Sequence, residues 1–129
     1  MPGPSAALRA LTASDTLHRV LLSAKQADDL HEAFLLRKDE KGSGLSVNFD
    51  CTADEARMQD CFSKTYGVAS LIVRIVKELD LDVVPDEPRH ANIVGIPYKE
   101  DDEAKAEWFA SQLSSRVTAV LKERWKQPK

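Results

Sequence analysis

The sequence predicts a small α+β domain: a sheet of three to four strands with helices packed on it, closed by a long C-terminal helix. Three observations carry this. The chain has 129 residues, the size of a single domain. Its hydrophobic fraction of 43% and charged fraction of 30% are those of a chain that buries a core. Period-2 and helical apolar patterns alternate along it.

Residues 1–15 hold Pro2, Gly3 and Pro4 among small residues and read as a flexible N-terminal tail. The folded domain spans 16–126. The run Thr16 to Leu22 is the first strand, with His18 and Arg19 assigned to its wet face. Ser23 and Gln26 form an S-x-x-Q capping box, followed by Ala27, Leu30 and Phe34 at helical spacing. A charged loop from Arg37 to Gly44 leads to Leu45, Val47 and Phe49, which alternate with Ser46 and Asn48 as a half-buried strand. Thr52 and Glu55 form a second capping box.

From Gly67 to Leu79 both patterns fit. A helix capped by Ser70 gathers Leu71, Ile72, Ile75, Val76 and Leu79 on one side, and charge spacing favours it over a strand, which survives for the first residues. Leu81 to Pro85 reads as a strand ended by the proline, and His90 to Pro97 as another. Residues 99–107 carry two positive and five negative charges, and residues 111–129 five positive and one negative. That polarity complements a helix dipole. Phe109, Leu113, Val117, Val120 and Leu121 line one stripe. A helix over 102–125 would be about 36 Å long.

Cys51 and Cys61 lie ten residues apart, across an expected helix that would separate them by about 15 Å. That is too far for a disulfide and fits a reducing compartment. No apolar run reaches the length of a membrane span and no leader is recognised, so a cytoplasmic location is expected. The formal charge of −3 argues against a dedicated nucleic-acid binder. No motif implies a cofactor.

Four constellations bear on function. On a strand starting at His90, His90 and Asn92 share a face, where a nearby carboxylate from Asp82, Asp86 or Glu87 would make them a candidate catalytic pair. Asp82 and Asp86 belong to an acidic cluster of a kind that holds divalent cations, although no known ligand spacing is present. Arg37, Lys38 and Ser46 surround a glycine-bearing turn of the sort that binds phosphate, with Asp39 and Glu40 offsetting the charge. Trp108, Val120, Leu121 and Trp125 form a candidate interface, because a helix of about 36 Å outruns a small sheet.

The strings Phe34…Arg37-Lys38-Asp39-Glu40…Gly44-Leu45-Ser46-Val47, Gly67-Val68-Ala69-Ser70, Leu81-Asp82-Val83-Val84-Pro85-Asp86 and His90-Ala91-Asn92-Ile93 resemble a group of small bacterial hypothetical proteins with no established activity. The resemblance covers most of residues 16–97. It implies a bacterial protein and supplies no catalytic residue.

Two function classes follow. One is a non-catalytic accessory or protein-interaction protein, a homodimer or operon-partner subunit. The other is a small enzyme or binding domain for a phosphate- or nucleotide-containing ligand, using His90, Asn92 and Arg37.

Overall fold

In a computed structural model, residues 9–59 and 62–128 are described. Residues 1–8 of the expected tail and Cys61, hence the expected cysteine separation, lie outside them. The strands are β1 (Thr16–Leu21), β2 (Leu45–Asn48), β3 (Lys64–Thr65), β4 (Gly67–Ile72), β5 (Asp82–Glu87), β6 (His90–Val94), β7 (Ala119–Leu121) and β8 (Trp125–Lys126). The helices are α1 (Ala24–Asp28), α2 (Leu30–Ala33), α3 (Ala53–Gln59), α4 (Val73–Glu78) and α5 (Glu103–Ser115), with a 3-10 turn at Lys38–Glu40.

The sheet is larger than expected. Six strands pair antiparallel in the order β5-β6-β2-β1-β4-β7, and β3 pairs with β8 in a separate two-stranded sheet. Three to four strands was an undercount for two physical reasons. Gly67–Ile72 takes the strand kept for the first residues of that segment rather than the favoured helix: it lies between β1 and β7, and covering both faces leaves no alternation to read. The helix begins only at Val73.

The second reason is that the long C-terminal helix ends early. α5 has 13 residues, about 20 Å instead of 36 Å. Ser114 and Ser115 turn their hydroxyls onto the carbonyls of Ser111 and Gln112. Thr118 then bonds the Ser70 carbonyl through its backbone N–H (2.8 Å) and its hydroxyl (3.1 Å), which draws the chain onto β4 as β7. Only Ala106, Phe109, Ala110 and Leu113 of α5 are buried.

Pro85 does not end its strand, since β5 is a sheet edge and needs no N–H there. The helix opened by Ser23 breaks at Asp29, whose extended backbone lets its carboxylate cap α2 through His31 N–H. The Thr52–Glu55 box forms, whereas in the Ser23 turn only the cap bond does, and the Gln26 side chain reaches one residue further back. Gln26 N–H donates to Ser23 Oγ while Gln26 Oε1 accepts from Leu22 N–H, and Thr52 and Glu55 exchange bonds of 2.8 and 3.0 Å.

Register divides the sheet into two faces. Leu17, Leu21, Leu45, Val47, Ala69, Leu71, Ala91 and Ile93 face the core with Phe34, Val76, Phe109 and Leu113. The other face carries His18, Ser70, Asn48, Ser46, His90 and Asn92. α3 packs over the β1–β4 part of that second face, where Asn48 Nδ2 donates to the Ala56 carbonyl. Ser46, His90 and Asn92 remain only partly buried.

Candidate functional site

The partly open region of the second face is built by strand pairing. Ser46 on β2 stands directly opposite Asn92 on β6, and Asn48 opposite His90, so all four side chains leave the sheet on the same side. On β5 the ladder shifts between Pro85 and Glu87, so that Asp86 and Glu87 together face His90. Such a bulge re-aims a side chain. Pro88 and Arg89, the latter at φ 66°, close the hairpin directly ahead of His90.

Ser46 Oγ lies 2.6 Å from His90 Nε2, and His90 Nδ1 lies 2.5 Å from Asp86 Oδ1. Asn92 Nδ2 donates to Asp86 Oδ2 at 3.0 Å. Partial burial works against ionisation of Asp86, but hydrogen bonds from His90 and Asn92 outweigh it and hold the carboxyl below its ordinary value. An ionised Asp86 only accepts, so His90 Nδ1 carries the proton. Nε2 of the neutral ring is then the acceptor, and the Ser46 hydroxyl donates to it. Hydroxyl, imidazole and carboxylate thus stand in the order nucleophile, base, orienting group.

The backbone of Ser46 is held just as firmly. β1 and β2 pair at His18 and Asn48 and then part. The Arg19–Glu40 ion pair fills the gap. Glu40 Oε2 accepts from Ser46 N–H at 2.9 Å, and Arg19 Nη1 donates to the Ser46 carbonyl at 2.9 Å. Arg19 meets Glu40 through both Nη1 (2.5 Å) and Nη2 (3.0 Å) and donates from Nε to the Ala33 carbonyl. Arg19 and Glu40 are 2% and 3% exposed, which corrects the wet-face assignment of Arg19 and sets Glu40 of the charged loop inside the protein. Burial disfavours the Glu40 carboxylate, yet the bonds from Arg19, Arg37 N–H and Ser46 N–H keep its pKa below the usual range.

Arg37 reaches this network only from behind. Its Nη2 is 3.4 Å from Glu40 Oε2 and its Nε bonds Asp39 at 3.1 Å, while Lys38 is exposed on the 3-10 turn. Asp82 is engaged elsewhere, with Lys77 Nζ at 2.5 Å. Asp86, Glu87 and His90 bring ligand-type atoms within 4.8 Å of one another. Two of those groups, Asp86 and His90, are already bonded to each other.

A second serine–histidine pair lies under α3. His18 Nδ1 is 2.7 Å from Ser70 Oγ and Nε2 is 2.9 Å from the Cys51 carbonyl. A carbonyl only accepts, so Nε2 carries the proton and Ser70 donates to Nδ1. Burial pushes the His18 pKa down and outweighs the opposing bond to Cys51. His18 is 7% exposed and Ser70 5%, which corrects the wet-face assignment of His18 and leaves this pair no access for a substrate.

The expected interface residues are dispersed. Trp108 is 51% exposed on α5 and meets Phe109 edge to face. Val120 and Leu121 belong to β7, and Trp125 pairs with Thr65 in the two-stranded sheet. They do not form a helical stripe, because α5 ends at Ser115, before Val120, Leu121 and Trp125. No helix among the described residues is long and apolar enough to cross a membrane.

Ser46 is the member of the site that the sequence reading assigned to a different constellation. Alternation with Leu45 and Val47 already set it opposite the core, but only the β2–β6 register places it at His90. No family model, curated protein or solved structure matches this chain.

Proposed function

We propose that Ser46, His90 and Asp86 form a nucleophilic centre for acyl transfer, and that the protein is a small hydrolase of ester-type substrates. The observation that carries this is the continuous relay of 2.6 and 2.5 Å from Ser46 Oγ through His90 to Asp86, on a part of the sheet left partly open. His90 Nε2 takes the hydroxyl proton as Ser46 Oγ bonds to the substrate carbonyl carbon. The tetrahedral adduct collapses, and His90 returns the proton to the departing alkoxide. Water, deprotonated by the same nitrogen, then attacks the acyl-serine. The free acid leaves and Ser46 recovers its proton.

Asp86 holds the ring in the required tautomer and stabilises the imidazolium. Asn92 Nδ2 has two N–H groups and bonds Asp86 with one. Asn92 stands across the strand pair from Ser46, and its other N–H is the candidate donor to the developing oxyanion. A carbonyl substrate fits this chemistry better than a phosphate ester. Arg19 spends its charge on Glu40, and Arg37 on Glu40 and Asp39.

Hydrolysis of p-nitrophenyl acetate by the full chain tests the reading. Ser46→Ala and His90→Ala should each remove the activity, whereas His31→Ala, at an ion pair with Glu107, should retain it. Activity that survives in Ser46→Ala contradicts the proposal.

A second reading, as an accessory or interaction protein, rests on the edge strand β7, where Val120 is 39% exposed. Two copies joined edge to edge at β7 would extend the antiparallel ladder and satisfy the free backbone groups of both. Light scattering should then show a dimer that Val120→Asp dissociates; a monomer at micromolar concentration removes this reading.

A further inference from the structure

The net charge of −3 is unevenly spread, and the two-stranded sheet gathers cations on one side. β3 and β8 pair Lys64 with Lys126 and Thr65 with Trp125, so one further step sets Tyr66 opposite Arg124. Side chains alternate across a ribbon, which puts Lys64, Lys126, Tyr66 and Arg124 on the same side. The contacts agree: Lys64 Nζ lies 5.6 Å and Arg124 Cζ 5.3 Å from the centroid of the Tyr66 ring. Thr65, on the other side, is fully buried, whereas Lys64, Arg124 and Lys126 are exposed. The ribbon turns its basic side to solvent.

Among the described residues, Lys64, Lys122, Arg124 and Lys126 form no ion pair, and Glu123 between them is paired with Arg57 at 2.8 Å. Like charges directly opposite each other on a ladder, as Lys64 and Lys126 are, repel. A polyanion laid along the ribbon removes that repulsion. We infer that this side of the ribbon binds single-stranded nucleic acid. It belongs to a different sheet from Ser46 and stands independently of the acyl-transfer reading.

Charge alone would serve any polyanion, and the aromatic component selects among them. Tyr66 holds Arg124 by a cation–π contact. A planar guanidinium offers donors to a phosphate and a face on which a base stacks. An acidic polypeptide meets the first of these and not the second. The basic side has two rungs, about 7 Å apart, a strip that follows one strand and not the breadth of a duplex.

Fluorescence anisotropy of a labelled oligothymidylate with the full chain tests this. On a single strand, log K falls with log salt by about 0.7 for each phosphate neutralised, so three cations should give a slope of about −2. Lys64→Ala/Arg124→Ala/Lys126→Ala should weaken binding at least tenfold at low salt and flatten that slope. Lys38→Ala/Arg74→Ala/Lys105→Ala removes the same charge from exposed positions elsewhere and should bind as wild type does. Tyr66→Leu keeps every charge and should weaken binding at least threefold with the slope unchanged. Arg124→Lys, which keeps the charge and loses the planar face, makes the same test if Tyr66→Leu fails to fold. No binding by the wild type, equal loss in the two triple variants, or unaltered affinity in the charge-preserving variant overturns the proposal. Displacement by polyglutamate as effective as that by unlabelled oligothymidylate overturns it too, in favour of an acidic protein.

Discussion

His90 and Asp86 face each other across a hairpin of two turn residues, and the bulge at Pro85–Glu87 brings Asp86 Oδ1 to 2.5 Å from His90 Nδ1. Asp86→Asn keeps the size and a hydrogen bond but lets the amide donate to Nδ1, which moves the proton to Nε2 and away from Ser46's needs. Ester hydrolysis should fall by about 10²–10⁴-fold, the range of a lost general base. Because the Asp86 side chain is 44% exposed, the melting temperature should barely move. A large loss of stability with unchanged turnover would mark Asp86 as a structural residue only.

Arg19 and Glu40 bind five backbone and side-chain groups between them from within the core. Glu40→Ala leaves the Arg19 charge buried without its partner and should cost about 3–5 kcal/mol in urea unfolding. The Arg19→Ala/Glu40→Ala double variant should cost less than the sum of the single ones, because the second removal takes away an already uncompensated charge. Additive costs would show that the pair is not energetically coupled.

Two groups give the stability a stepped pH dependence. The folded-state pKa of His18 is lowered by burial, so the unfolded chain takes up that proton first. Its contribution is complete above the ordinary value of 6.5 and is lost as the pH falls toward the lowered one. Glu40 is also lowered in the folded state; its contribution is complete above 4.5 and is lost as the pH falls through the depressed value. Urea midpoints measured across this range should decline first below pH 6.5, and His18→Gln should flatten that upper step alone. An unchanged upper slope in His18→Gln contradicts the assignment of His18 as a buried neutral ring.

Local chemistry was legible in the sequence, and long-range pairing was not. The Ser23 cap and the Thr52–Glu55 box each span three residues, and the Ser23–Gln26 N–H bond and both bonds of the second box form. His90 and Asn92 on one face follow from strand alternation alone, and Asp86 stood among the named carboxylates. β4 stayed ambiguous between helix and strand because its Val68, Ala69, Ser70 and Leu71 are all buried, which erases the period of two. β7 became part of a helix because Ala119–Leu121 acquires its conformation from pairing with β4, not from its own residues. Arg19 and Glu40 lie 21 positions apart, and each carries a charge that a one-dimensional reading assigns to water. Ser46 joined His90 only through a register that no local signal encodes.

Covalent trapping of the nucleophile tests the central claim most directly. A fluorophosphonate loses fluoride to an activated serine oxygen, and intact mass followed by peptide mapping locates the adduct. The account predicts one adduct, on Ser46, absent in Ser46→Ala and formed at least a hundredfold more slowly in His90→Ala, with Ser70 unmodified beneath α3. No adduct, an adduct on Ser70, or labelling of Ser46 at the wild-type rate in His90→Ala would contradict it.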